Sequence, residues 1–176
     1  MPGSYLGSMF LALDVAYTAT HGRAIALAFA TWDAAAPLAT YSATTSPIAA
    51  YEPGDFYRRE LPCLLAVLEE VDLTAVRCLL VDGYVTLGPE QRPGLGQHLY
   101  KAFGCQVPVV GVAKTRFAGV APQVAPVLRG HSRNPLYVTS AGLPLAEAAA
   151  GVAAMHGQHR LPTLLKRLDD LTKLKV

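Results

Sequence analysis

"RCLLVDG", residues 77–83, ends a run of four apolar side chains on a carboxylate and a glycine. A run this short suits a buried strand, and its neighbours decide what kind of sheet it enters. Before it, "PCLLAVLEEV" (62–71) has helical character, and Pro62 is placed to open the helix, where its missing N–H costs nothing. After it, "GLGQHLYKAFG" (94–104) predicts a second helix closed by Gly104. A further apolar strand, "VPVVGVAK" (107–114), follows. Strand, helix and strand in succession require parallel pairing, with the helix crossing one face of the sheet. Toward the N-terminus, "FLALDVAY" (10–17), "RAIALAFATWD" (23–33) and "LATYSATTS" (38–46) predict three strands joined by short turns, an antiparallel meander. Toward the C-terminus come a late strand, "PLYVTS" (135–140), and two helices, "PLAEAAAGVAAMHG" (144–157) and "PTLLKRLDDLTKL" (162–174). The expected fold is α/β, a mixed central sheet of meander plus parallel strands flanked by helices.

Composition narrows the functional classes. Apolar residues make up 52% of the 176 and charged residues 16%, the balance of a chain with a large core and not of a disordered one. That length fits one domain, expected over residues 9–176, with 1–8 as a tag or disordered leader before a native start at Met9. A net charge of +2 is too weak to argue for nucleic acid by itself. Cys63, Cys78 and Cys105 lie far apart without metal-ligand spacing, as reduced core thiols of a cytoplasmic protein would. No apolar run approaches the roughly 18 residues of a membrane span.

The strands carry acids where apolar residues would be expected. Asp14 follows "FLAL" and Asp82 follows "CLLV". A buried carboxylate must be neutralised or paired. If the two strands are neighbours, the two acids face each other across roughly 5 Å of sheet, an arrangement suited to Mg²⁺. For either strand alone, a capping role is an equal alternative. Glu60 lies in "YRREL", where flanking arginines also allow a solvated ion-pair cluster. On the final helix Leu161, Leu165, Leu168 and Thr172 share a stripe that includes Asp169, whereas Asp170 falls with Lys166 and Arg167. Asp169 is therefore expected to point inward and Asp170 outward. Lys114 ends a buried strand, where it can bind phosphate as a point charge or simply solubilise the strand end. His98 lies between Leu95 and Leu99 on a helix, a position more often structural than catalytic.

Taken in order, "LDVAY" (13–17), "YEPGDFYRRELP" (51–62), "LLVDG" (79–83), "GLGQHL" (94–99), "VPVVGVAKTRFAG" (107–119), "PLYVTSAG" (135–142) and "HRLPTLLKRLDDLT" (159–172) resemble the endonuclease V family. The resemblance implies a ribonuclease H-like fold and a Mg²⁺-dependent endonuclease, with Mn²⁺ able to substitute. The implied reaction cuts a phosphodiester on the 3′ side of a deaminated base in inosine-containing DNA or RNA. It implies Asp14 and Asp82 as direct metal ligands, with Glu60 and Asp169 completing the acidic set. Lys114 would lie near the scissile phosphate. Tyr51 would wedge beside the flipped-out base, within a substrate shell of Pro53, Gly54, Arg59, Gly83, Tyr84, His98 and Gly111. A monomer with no membrane association is expected.

The chain also departs from the family pattern. "DGYVTLGPEQRPG" (82–94) places Tyr84 and Val85 where a small turn is usual, and Gly88-Pro89 where a histidine–proline pair is usual. Tyr84 either narrows the base pocket or stacks against a base. Two other functions fit these departures: a catalytically weak nucleic-acid-binding relative, and a ribonuclease H-like nuclease with a different, structure-specific substrate.

Overall fold

The computed structural model describes residues 9–50, 52, 53, 55–118 and 122–174. The leader expected over residues 1–8 lies outside them, as do Tyr51 and Gly54. The strands are β1 (Met9–Tyr17), β2 (Gly22–Phe29), β3 (Ala39–Thr45), β4 (Val76–Asp82), β5 (Thr86–Leu87), β6 (Arg92–Pro93), β7 (Val109–Ala113), β8 (Ala125–Val127) and β9 (Leu136–Ala141). The helices are α1 (Phe56–Leu68), α2 (Leu95–Ala102), α3 (Leu145–Ala154) and α4 (Thr163–Lys173).

Seven strands form one sheet in the order β3-β2-β1-β4-β7-β9-β8. The expected meander is its antiparallel half, β1 on β2 and β2 on β3. β1, β4 and β7 run parallel at the centre, and β9 and β8 return antiparallel. β8 was not expected from the sequence. It is short, lies at the edge and contains Pro126, which cannot donate to a ladder and is tolerated there. β5 and β6 form a separate two-stranded ribbon inside the segment read as the turn after Asp82.

Both faces of the sheet are covered at its centre, which is why the central strands read as unbroken apolar runs, whereas the edge strand β3 alternates. On one face Phe10, Ala12, Cys78, Leu80, Val110 and Val112 pack with Ala148 and Val152 of α3 and Leu164 and Leu168 of α4. On the other, Leu11, Leu13, Leu79, Val81 and Val109 pack with Cys63, Leu64, Val67 and Leu68 of α1 and Leu99 of α2. Ala24, Ala26 and Ala28 of β2 belong to the α1 face, where their small side chains let the helix approach. Cys63 and Cys78 are buried thiols as expected. Cys105 is exposed, because the chain turns back just after α2 through Gly104 at φ 63°.

Pro62 does not open α1 but lies inside it. The first turn forms earlier, with the Arg58 N–H donating to the Asp55 carbonyl at 3.1 Å and an Arg58–Asp55 ion pair at 3.3 Å. This early start places Glu60 on the helix itself.

Candidate active site

Side chains alternate along a strand, so one face of the sheet collects every second residue. Asp14 continues the row Phe10–Ala12, and Asp82 the row Cys78–Leu80. Lys114 continues the row Val110–Val112, one residue past the end of β7. All three therefore emerge on the face that α4 covers. Leu13 pairs with Val81 in the parallel β1–β4 ladder, which leaves Asp14 and Asp82 next in line on adjacent strands. The condition that these two strands be neighbours is met.

The two carboxylates meet different surroundings. Asp14 is half-buried, accepts from the Thr172 hydroxyl at 2.8 Å and from the Val15 N–H at 2.9 Å. Burial raises its pKa, and the neighbouring Asp82 adds to the rise against those hydrogen bonds. Asp82, expected to be buried, is instead exposed, because β4 ends there and its side chain emerges at the rim of the sheet. Glu60 reaches this rim from α1 on the opposite face. Burial lifts its carboxyl to about 7, and the charges of Asp14 and Asp82 add to the effect. The flanking arginines are engaged elsewhere: Arg58 with Asp55, and Arg59 with its guanidinium 4.0 Å from the centre of the Tyr17 ring.

Asp169 and Asp170 divide as the helical stripe predicts. Asp170 is exposed and paired with Lys166, whereas Asp169 is turned toward the sheet. Its carboxylate lies 3.7 Å from the Lys114 ammonium and 2.7 Å from that of Lys173. The hydrogen bond from Lys173 holds its pKa below the usual carboxylate range, aided by Lys114. Lys114 also lies 3.6 Å from Asp82. Asp14, Asp82, Lys114 and Asp169 line one small cleft, and Asp14, Glu60 and Asp82 an adjoining one.

Among the described residues, no three His, Cys, Asp or Glu side chains stand as a ready ligand set for a metal ion. The ammonium of Lys114 supplies positive charge between Asp82 and Asp169 instead. The donor chemistry nevertheless fits a hard divalent cation, because every donor is a carboxylate oxygen. Burial does most to raise the pKa of Glu60, and the repulsion from Asp14 and Asp82 that adds to it is what such an ion would relieve.

Beside the acids lies a cavity of about 300 Å³. Glu60 and Asp82 form its acidic edge, and Tyr57, Tyr84, Leu87, Pro93, Leu95 and Phe117 most of its walls. Gly83 and Arg92 also line it. Gly83, at φ 121°, makes a turn that only glycine adopts freely. Gly111 is buried beneath that turn, where a Cβ would approach the Gly83 carbonyl oxygen to 2.5 Å. The structure thus gives Gly111 a packing role below the cavity. His98 stacks on Tyr57 with ring centres 3.6 Å apart, and burial lowers its pKa. Pro53 is exposed in a turn before α1.

Sequence reading missed several contributors. Thr172 was visible only as a member of the apolar stripe, and its bond to Asp14 needed the fold. Tyr57 and Phe117 carried no signal beyond being aromatic. Arg160 donates to the backbone carbonyls of Lys114, Asn134 and Pro135, a role no local pattern announces.

Comparisons with known proteins bear on the family and the fold. The profile of the family described as Endonuclease V matches residues 5–141. An endonuclease V from Nostoc punctiforme is 26% identical over 193 aligned positions, covering 99% of this chain and 84% of that protein. The crystal structure of the Streptomyces avermitilis endonuclease V superposes with a TM-score of 0.70 at 26% identity, covering 95% of this chain and 80% of that one. The Ciona intestinalis endonuclease V, solved with a 24mer DNA containing an inosine followed by a ribo-adenosine, gives 0.75 at 16% identity, covering 94% and 84%. The shared architecture is the ribonuclease H-like α/β fold.

Proposed function

The chain belongs to the endonuclease V family, and from that premise we propose that it is a divalent-cation-dependent endonuclease acting on nucleic acid that contains a deaminated base. The observation that carries the reading is the meeting of Asp14, Asp82, Glu60 and Asp169 at one rim of the sheet beside Lys114. These four acids would hold Mg²⁺, or Mn²⁺ in its place. When bound, the ion lowers the pKa of water and stabilises the leaving 3′-oxygen. Thr172 fixes one oxygen of Asp14 and so orients its carboxylate. Lys114 offsets charge that gathers on the phosphate.

The cavity next to Glu60 and Asp82 would receive an extruded base. Its volume is at the small end of ligand pockets, which span roughly 300–1,000 Å³, and its aromatic walls suit a planar ring. Extrusion costs a few kcal/mol, least for a damaged or unpaired base. The cut would fall on the 3′ side of that base. The inosine-containing DNA bound by the Ciona protein supports this substrate class. A monomer working in the cytoplasm is part of the same reading.

Single-stranded inosine oligonucleotides of DNA and of RNA, incubated with Mg²⁺, test it. Cleavage is expected for the intact protein and a loss of at least about a hundredfold for Asp82→Ala. No metal-dependent cleavage of either polymer would overturn it. A second reading, a binding protein without catalysis, is favoured by the Lys114 ammonium that already neutralises Asp82 and Asp169. It predicts salt-sensitive binding that survives Asp14→Asn, and no cleavage by the unmodified chain.

A further inference from the structure

The segment that carries Lys114 is held from two sides by side chains far apart in sequence. On one side the Tyr84 hydroxyl donates to the Thr115 carbonyl at 2.7 Å and accepts from the Phe117 N–H at 3.0 Å. On the other, the Arg160 guanidinium donates to the Lys114 carbonyl. The same guanidinium donates to the Asn134 and Pro135 carbonyls, each at 2.9 Å, and so ties this segment to the entry of β9. Tyr84 stands two residues after Asp82, and Arg160 stands in the connection that leads into α4 and Asp169. The elements that deliver the two acids flanking the Lys114 ammonium therefore also grip its backbone.

We propose that Tyr84 and Arg160 are positioning residues that clamp residues 114–117 and thereby set the Lys114 ammonium between Asp82 and Asp169. The Tyr84 hydroxyl, engaged once as donor and once as acceptor, is committed to the backbone and does not select a base by its edge. Its ring and that of Phe117, at a 63° interplanar angle with centres 6.1 Å apart, keep their place on the cavity wall because the hydroxyl splints the loop between them. Without the clamp, residues 114–117 lose their side-chain tethers, and Lys114 is fixed only through its long, rotatable stem. The proposal rests on the cleavage reading only in giving Lys114 a catalytic task. The clamp itself is independent of it.

The test uses Tyr84→Phe, which removes a single oxygen, and Arg160→Gln. Each variant is measured for single-turnover cleavage with Mg²⁺, for oligonucleotide affinity with Ca²⁺, and for the rate of reductive methylation of Lys114 relative to Lys101 by mass spectrometry. Each is expected to slow cleavage roughly tenfold to a hundredfold, the effect of a small misplacement. Affinity is expected to stay within about twofold, and methylation of Lys114 to accelerate several-fold relative to Lys101. In the background of Lys114→Ala, neither substitution should slow cleavage further, because a group that acts only through Lys114 has nothing left to position. Losses that add to that of Lys114→Ala, or unchanged methylation in Tyr84→Phe, overturn the clamp. Should the unmodified chain cut no nucleic acid, the cleavage reading falls, and the methylation rates alone decide the clamp.

Discussion

Glu60 stands on α1, where burial above all, and then the charges of Asp14 and Asp82 against that of Arg59, keep its carboxyl protonated up to about pH 7. In the unfolded chain the same group releases its proton near 4.5. Between these values the folded state binds the extra proton, so stability falls as pH rises through this window, and the deficit is complete above pH 7. Glu60→Gln removes the charge while keeping the shape. In EDTA it is therefore expected to raise stability by about 2 kcal/mol at pH 8 and to change it little at pH 4. Thermal melts at both values check this; equal melting shifts at the two would contradict it. Asp14 is the quieter partner, since the Thr172 hydroxyl and the Val15 N–H oppose the effect of its burial.

At the scale of elements, Arg129 shows how a buried charge serves a connection. It lies just past β8, 5% exposed, and donates to the carbonyls of Met155, Gly157 and His159 between α3 and α4. Replacing it with Met removes the donor from all three carbonyls, of which that of Met155 is buried. A loss of about 3 kcal/mol is expected, readable as a lower denaturation midpoint, with faster hydrogen exchange at the start of α4. This clasp was illegible in the sequence, because it joins residues far apart through backbone atoms that any residue carries. The central strands were legible, since burial on both faces writes their apolar character directly into the chain. Asp14 and Asp82 stood out against that background, and Asp169 against Asp170 by helical spacing. The start of α1 was misread because Pro62 is the usual signal of a first turn, whereas Asp55 and Arg58 had already closed one. β8 escaped notice for its shortness and its proline.

Over the whole molecule the net charge of +2 gives little general attraction for a polyanion. Binding must come from cations near the rim, among them Arg92 on the cavity wall and Lys114. With about three to five phosphates engaged, the affinity for single strands should fall with salt at a log–log slope of about −2 to −4. Fluorescence titrations between low and physiological salt measure that slope, and a value near zero would exclude phosphate contacts as the source of binding. α4 carries another consequence. It is synthesised after every strand of the sheet, and it brings both Thr172 and Asp169. On the ribosome, a chain halted before Thr163 holds Asp14 and Asp82 with neither the hydroxyl that steadies one nor the acid that shares Lys114 with the other. The acid cluster around Lys114 is thereby completed only when α4 docks on the sheet.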